Sequence, residues 1–485
     1  MKFEISQNLK RTDVLFLPLY KEEGLSPKIK KILGNSLSKM IELRIKNNDF
    51  EGDEGQTISL FTDGEFCKKL VLVGLGKKEE KVPHQNELLG GTISGIAKKS
   101  KAEKISVFVN EDFESIAYGI ILGTYEFTFY KKTDSKAKEL KDVCFLTNDS
   151  KENLEFLKKL SAFENASILT RNLINTSAGD QVPQDLANEA KKIAKKYGMK
   201  VTILDNKKLK KLGCGGIIGV GQGAKDGPCM AFLEYKYKSN KKEPSIAFIG
   251  KGITFDSGGM NLKPSGHVET MKSDMSGAGT VLGTMQAIAE LKMPGHFLGV
   301  IACAENALSD KAIHSGDVLK MYNGKTVEVV NTDAEGRLIL ADALSYTEKN
   351  FHPKNIIDIA TLTGAVVYAL GYKITGVLGN KDEIIKDVLD SSKNAHERFW
   401  QLPLDADFIK ATKGDFTDLK NATDGVRAGT IMGAAFLQNF IEKTAWAHID
   451  FAGTSWAEKP TPTTKYGATA SGLRTLLELA IKHQG

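Results

Sequence analysis

Short apolar runs alternate with amphipathic stretches along most of the chain. In the first 150 residues, the runs at 14–20, 69–74, 104–110 and 142–147 are six or seven residues long and rich in Val, Ile, Leu and Phe, as short buried strands are. Between them, residues 86–101 and 114–130 repeat apolar side chains at helical spacing. A charged, helix-prone segment follows over 151–172. Beyond it, residues 184–197 predict an amphipathic helix closed by Gly198 in the left-handed C-cap position, and residues 200–204 a strand. Further strands are expected at 245–250, 297–302, 355–359 and 447–451, and helices at 276–291, 337–350 and 471–483. Residues 319–330 read as two short strands around Asn323-Gly324, a two-residue hairpin signal. The alternation predicts an α/β chain of two domains: a smaller N-terminal α/β domain over 1–150, a helical connector over 151–172, and a larger α/β domain over 173–485 with a central mixed sheet covered by helices.

Composition narrows the function classes. The 485 residues carry 66 basic and 60 acidic side chains, a net charge of +6, and 41% are apolar, which excludes disorder as the dominant state. The lysine-rich pieces at 98–104, 207–211 and 236–242 are scattered, and read as solvated faces rather than as a nucleic-acid groove. Five cysteines without a CxxC pair build neither a disulfide framework nor a zinc knuckle. The longest uncharged apolar run, 359–372, falls short of the roughly 20 residues a membrane-spanning helix needs. Together with an N-terminus that lacks a signal-peptide core, this predicts a cytoplasmic protein with no membrane partner.

Two loops concentrate the chemistry. Residues 250–265 leave a buried strand as a Gly-rich loop carrying Lys251, Asp256 and Lys263, with Asp274 just before the next helix. Ligands of open α/β sheets sit beyond the carboxyl ends of strands, so this loop is a candidate site; the plainer alternative is a polar loop with an N-capping Asp. In the second loop, Asn331-Thr-Asp-Ala-Glu-Gly-Arg337, an extended backbone would place Asp333, Glu335 and Arg337 on one face. These charges make either a surface ion pair or a divalent-cation site with an anion held by Arg337. Asp256, Asp274, Asp333 and Glu335 form a hard-oxygen set suited to magnesium, manganese or zinc. His267 has no histidine companion and reads as loop surface. The glycines of 219–223 lack the spacing of a nucleotide loop and read as tight turns.

The segments 251–265 (KGITFDSGGMNLKPS), 271–274 (MKSD) and 331–338 (NTDAEGRL) resemble those of the leucyl, or cytosol, aminopeptidases, and the resemblance extends through most of 165–485. It implies a macro-domain-like N-terminal domain and a catalytic domain with two divalent ions, manganese or zinc, with magnesium also acceptable at one site. By resemblance, Asp256 and Glu335 bridge the ions, Lys251 and Asp274 complete one site, and Asp333 completes the other. Lys263 stabilises the oxyanion, and Arg337 holds a bicarbonate that acts as general base toward a water between the metals. Met271, Thr361, Leu362, Gly364 and Ala452 line the pocket for a Leu-like or other apolar side chain, while Asn331 and Ala334 face the residue after the cut bond. Ser455 stands where some relatives have Met, which relaxes the expectation of strict leucine preference. The implied substrates are short peptides with a free N-terminus, and the implied assembly is a homo-hexamer. Two other readings stay open: a dimetal phosphoesterase using the same carboxylates, and a nucleic-acid-binding protein with secondary peptidase activity.

Overall fold

The computed structural model describes residues 1–62, 64, 66–80, 83–109, 113–132, 138–423, 425 and 427–484. Asn110, the expected last residue of the third strand, lies outside them. The chain divides into two compact units, one of Met1–Glu164 with Glu458–Tyr466 and one of Asn165–Ala457 with Gly467–Gly485.

The first unit holds a six-stranded sheet. Its order is Lys2–Ser6, Asp142–Leu146, Lys104–Phe108, Thr12–Leu19, Cys67–Gly74, Thr57–Phe61, all parallel except the last pair. The four expected strands are its centre, because only they are apolar enough to be covered on both faces. The two edge strands and the helical segment Pro27–Lys46, broken at Gly34, carry little sequence signal, since their burial is partial and their apolar periodicity weak.

The second unit is built on an eight-stranded mixed sheet. Its order is Phe399–Gln401, Thr375–Gly379, Ala445–Asp450, Asn355–Ala360, Ile246–Asp256, Gly295–Asn306, Cys229–Tyr237, Lys200–Leu204. The central four, from Ala445–Asp450 to Gly295–Asn306, run parallel, and antiparallel strands flank them. These four are almost wholly buried and explain the long apolar runs. The helices Ser276–Glu290 and Glu335–Phe351 pack on the central strands, their small and aliphatic residues buried. The hairpin forms as Val318–Lys320 paired antiparallel with Thr326–Glu328.

The segment 151–172 is helical, within Lys151–Asn175. Two expectations change. The glycines of 219–223 do not form a tight turn: Gly215–Gly221 is helical, and a turn follows it. Small residues are required there because the helix packs closely, a Cβ at Gly215 falling 2.1 Å from the Lys320 carbonyl oxygen. Finally, Asp333, Glu335 and Arg337 do not share an extended segment: a turn at 332–333 leads into a helix beginning at Glu335.

Candidate active site

The four parallel strands end in two steps: Ala360 and Asp450 stop level with Lys251, midway along Ile246–Asp256, while that strand and its neighbour run on to Asp256 and Asn306, and the charged residues line this stepped edge. Lys251 and Asp256 belong to Ile246–Asp256, Asn306 closes the neighbouring strand, Thr361 follows Asn355–Ala360, and Asp450 closes Ala445–Asp450. Asp274 lies in the 3-10 turn Met271–Met275. It does not cap the following helix, whose cap position is Met275 and makes no side-chain cap bond. Instead, its carboxylate accepts from Lys251 Nζ at 2.8 Å and from the Thr361 hydroxyl at 2.7 Å.

Lys251 is the centre of one half of the cluster. Its Nζ lies 2.7 Å from Asp274 Oδ2 and 2.8 Å from Glu335 Oε1, and it donates to the Thr361 carbonyl oxygen at 3.1 Å. The side chain passes so close to Gly336 that a Cβ there would sit 2.4 Å from Lys251 Cε, which accounts for glycine in the first turn of the helix. Lys263 centres the other half, 2.8 Å from Asp256 Oδ2 and 2.6 Å from Asp333 Oδ1. Gly258 and Gly259, at φ +86° and +63°, let the loop turn back to deliver Lys263; a side chain at Gly258 would also meet the Asn261 carbonyl oxygen at 2.4 Å.

Asp256, Asp333 and Glu335 each offer an oxygen within 4.8 Å of the others. Four carboxylates against two ammonium groups leave the ionised cluster negative, and the electrostatics follow. Burial pushes the Asp256, Asp274 and Asp333 carboxyls up, and the neighbouring carboxylates push them further. Burial would lower Lys251 and Lys263, but the surrounding carboxylates outweigh it and hold both ammonium groups above their ordinary value. Asp274 Oδ2, Asp333 Oδ1 and Glu335 Oε1 accept no directed hydrogen bond despite lying at ion-pair distance from a lysine. Buried oxygens facing one another with unused lone pairs, together with an amine, are a donor set that fits divalent cations of the magnesium–manganese–zinc group.

Arg337 turns away from this cluster. Its Nη1 donates to the Asn421 carbonyl oxygen at 2.6 Å, while its Nε is buried without a hydrogen-bond partner. Burial lowers its pKa to about 10, against the pull of Glu335 and Asp450. An unsatisfied guanidinium N–H at such a site fits a small bound anion.

The remaining expected residues surround these groups. Asn331 and Ala334 are held by Asn421, whose Nδ2 donates to the Asn331 carbonyl at 2.6 Å and reaches the Ala334 carbonyl at 3.4 Å. Leu362 and Ala452 are joined through Asp450 Oδ1, which accepts from both backbone N–H groups at 3.3 Å. Gly364 caps the short helix Ala365–Leu370, and Met271 opens the turn that carries Asp274. His267 is exposed, as a surface residue would be, and Ser455 is buried. Asn306, Asn421 and Asp450 were not singled out from sequence. Only their position at strand ends marked Asn306 and Asp450; Asn421, the residue after the short strand Leu419–Lys420, carried no pattern at all.

The comparisons with known proteins agree with this geometry. Residues 168–477 match the catalytic-domain model of the cytosol aminopeptidase family, and residues 16–134 match its N-terminal-domain model. A probable cytosol aminopeptidase of Wolbachia pipientis wMel is 38% identical over 445 residues, covering 90% of this chain and 88% of its own. One from Geobacter sp. strain M21 is 37% identical over 458 residues, covering 92% and 91%. Among solved structures, a variant of tomato leucine aminopeptidase superposes with a TM-score of 0.88 at 30% identity, covering 99% of this chain and 96% of its own. The bottromycin maturation enzyme BotP, solved in complex with manganese, gives 0.84 at 27% identity over 96% and 98%. With both domain models matched and near-complete coverage of these relatives, the chain belongs to the cytosol aminopeptidase family and is a peptidase that acts as an aminopeptidase.

Proposed function

We propose that this enzyme removes the N-terminal residue, preferably leucine or another apolar one, from short peptides at the cluster around Lys251 and Lys263. The observation that carries this is the set of four carboxylates and two lysines, all buried but the half-buried Asp333 and Lys263, along the carboxyl edge of the parallel strands, with three carboxylate oxygens left without directed partners. Asp256, Asp333 and Glu335, with Lys251 and Asp274, would hold two divalent ions, manganese or zinc, with magnesium acceptable at one position. Those ions, when bound, would supply Lewis-acid polarisation of the scissile carbonyl and of the attacking water. Lys251 would then serve as a neutral amine, since cations close by disfavour its ammonium form.

Lys263 would keep its proton and point it at the oxygen where negative charge develops. Among the described residues of the cluster, no histidine stands ready as a general base, which supports giving that task to a bicarbonate on Arg337. Arg337 would bind it through the free Nε while Asn421 fixes the other end of the guanidinium. Met271, Thr361, Leu362, Gly364 and Ala452 would receive the N-terminal side chain, and Asn331 and Ala334 the residue beyond the cut. Family membership supports a homo-hexamer in the cytoplasm, with a mass near six times 52.9 kDa by light scattering.

The test is hydrolysis of leucine p-nitroanilide. Asp256→Ala and Glu335→Ala are each expected to lower kcat/KM by about 10³-fold or more, with circular dichroism unchanged. Metal-loaded variants as active as the parent would overturn the assignment.

A further inference from the structure

Asp256, at the end of its strand, is gripped by the last residue of the strand beside it. Its Oδ1 accepts from Asn306 Nδ2 at 2.8 Å and from the Gly258 N–H at 2.9 Å. A carboxylate oxygen has two in-plane lone pairs, so these donors occupy Oδ1 and leave Oδ2, which faces Lys263 Nζ at 2.8 Å. The same Asn306 side-chain amide donates to the Thr332 carbonyl oxygen at 3.1 Å, and the Asn306 backbone carbonyl accepts from the Ser257 hydroxyl at 2.7 Å. Asn306 therefore joins both loops of the site at a single buried side chain, 2% exposed. The backbone is shaped for this: the pairing of Gly295–Asn306 with Ile246–Asp256 is regular up to Ala304, then shifts so that Asn306 lies opposite Asp256. Irregularities of this kind re-aim a side chain at the end of a pair.

We propose that Asn306 is a positioning residue that commits Asp256 to offering metal through Oδ2 alone and holds that oxygen in register with Asp333 and Glu335. The proposal rests on the dimetal reading above. A second link between the loops, from the Thr332 hydroxyl to the Gly258 carbonyl oxygen at 2.6 Å, touches no carboxylate and provides the contrast.

The experiment measures manganese and zinc affinity of the full-length protein by competition with a chromophoric chelator, alongside kcat and KM. Asn306→Ala is expected to weaken the metal ions by about 10–100-fold, as loss of a bond that orients a ligand does, and to lower kcat more than it raises KM. Asn306→Ser, which keeps a small polar group, serves if the alanine variant does not fold. Thr332→Val is expected to lose less metal affinity than either. Affinity within about threefold of the parent in a folded Asn306 variant would overturn the proposal, since orienting bonds are worth more than that. So would an equal or larger loss in Thr332→Val, which would mean that any tie between the loops suffices. If the parent binds metal in an Asn306-dependent way yet hydrolyses no aminoacyl amide, the peptidase reading falls and this one stands.

Discussion

In the first unit, Asp142–Leu146, Lys104–Phe108, Thr12–Leu19 and Cys67–Gly74 run parallel under covering helices, much as Gly295–Asn306, Ile246–Asp256, Asn355–Ala360 and Ala445–Asp450 do in the second. The interiors differ in charge. Among the described residues of the first unit, Glu164 is the one buried Asp, Glu, Lys or Arg, and it pairs with the N-terminal ammonium at 2.9 Å. The second buries Lys251, Asp256, Asp274, Glu335 and Asp450 at or beside its strand ends. Each ion taken from water costs several kcal/mol unless it is paired and hydrogen-bonded. A sheet built only for stability has no reason to gather so many, and the first unit does not. The same layered architecture thus gathers buried charge at the strand edge in one unit and almost none in the other, so fold alone does not single out a site.

The contrast can be broken or sharpened by substitution. After the metal-ligand variants, the largest effect is expected at Lys263. Lys263→Met should lower kcat by about 10²–10³-fold, the usual loss when an oxyanion donor is removed, while metal affinity measured by chelator competition stays near the parent's. In the first unit, Glu164→Gln should cost about 1–3 kcal/mol in urea unfolding and leave kcat alone; a fall in kcat would show that unit 1 contributes to the chemistry after all. Asp450→Asn keeps the shape but loses the acceptor that holds the Thr363 hydroxyl at 2.6 Å. It should raise KM for leucyl substrates by a fewfold, about 1 kcal/mol, with kcat changing less.

The smallest effect separates buried charge that works from buried charge that only packs. Asp342 lies away from the cluster and accepts from the backbone N–H groups of Tyr322 and Ile217. Burial pushes its carboxyl up to about 7 despite those bonds. The folded state then holds a proton that the unfolded chain releases near pH 4, so this contribution to stability is complete at low pH and is lost as pH rises through about 7. Asp342→Asn should flatten the dependence of Tm on pH between roughly 4 and 7 without moving kcat; an unchanged slope would place the titration elsewhere.

Much of this was legible beforehand where local signals are strong. The central strands of both sheets, the hairpin at Asn323-Gly324 and the helix ending at Gly198, which sits at φ +69°, all follow from apolar runs and turn chemistry. What escaped was set by long-range packing. The strand Cys229–Tyr237 mixes charged with apolar residues, and Gly215–Gly221 is helical although glycine disfavours helices. The second loop shows the same limit within the site: Asp333 and Glu335 do converge, but through a turn and a helix start rather than along a strand.

The sequence by itself determined which residues are candidates for the chemistry, because Asp, Glu, Lys and Arg in glycine-rich loops after apolar strands are recognisable from type and spacing. Only the tertiary structure decided how they are aimed. It set Asp274 against Lys251 and not at the helix cap, sent Arg337 to Asn421, and brought Asn306 onto Asp256 from 50 residues away. Hydrogen bonds act over about 3 Å in space and are indifferent to separation along the chain. The atoms they connect are chosen when the strands close into one sheet.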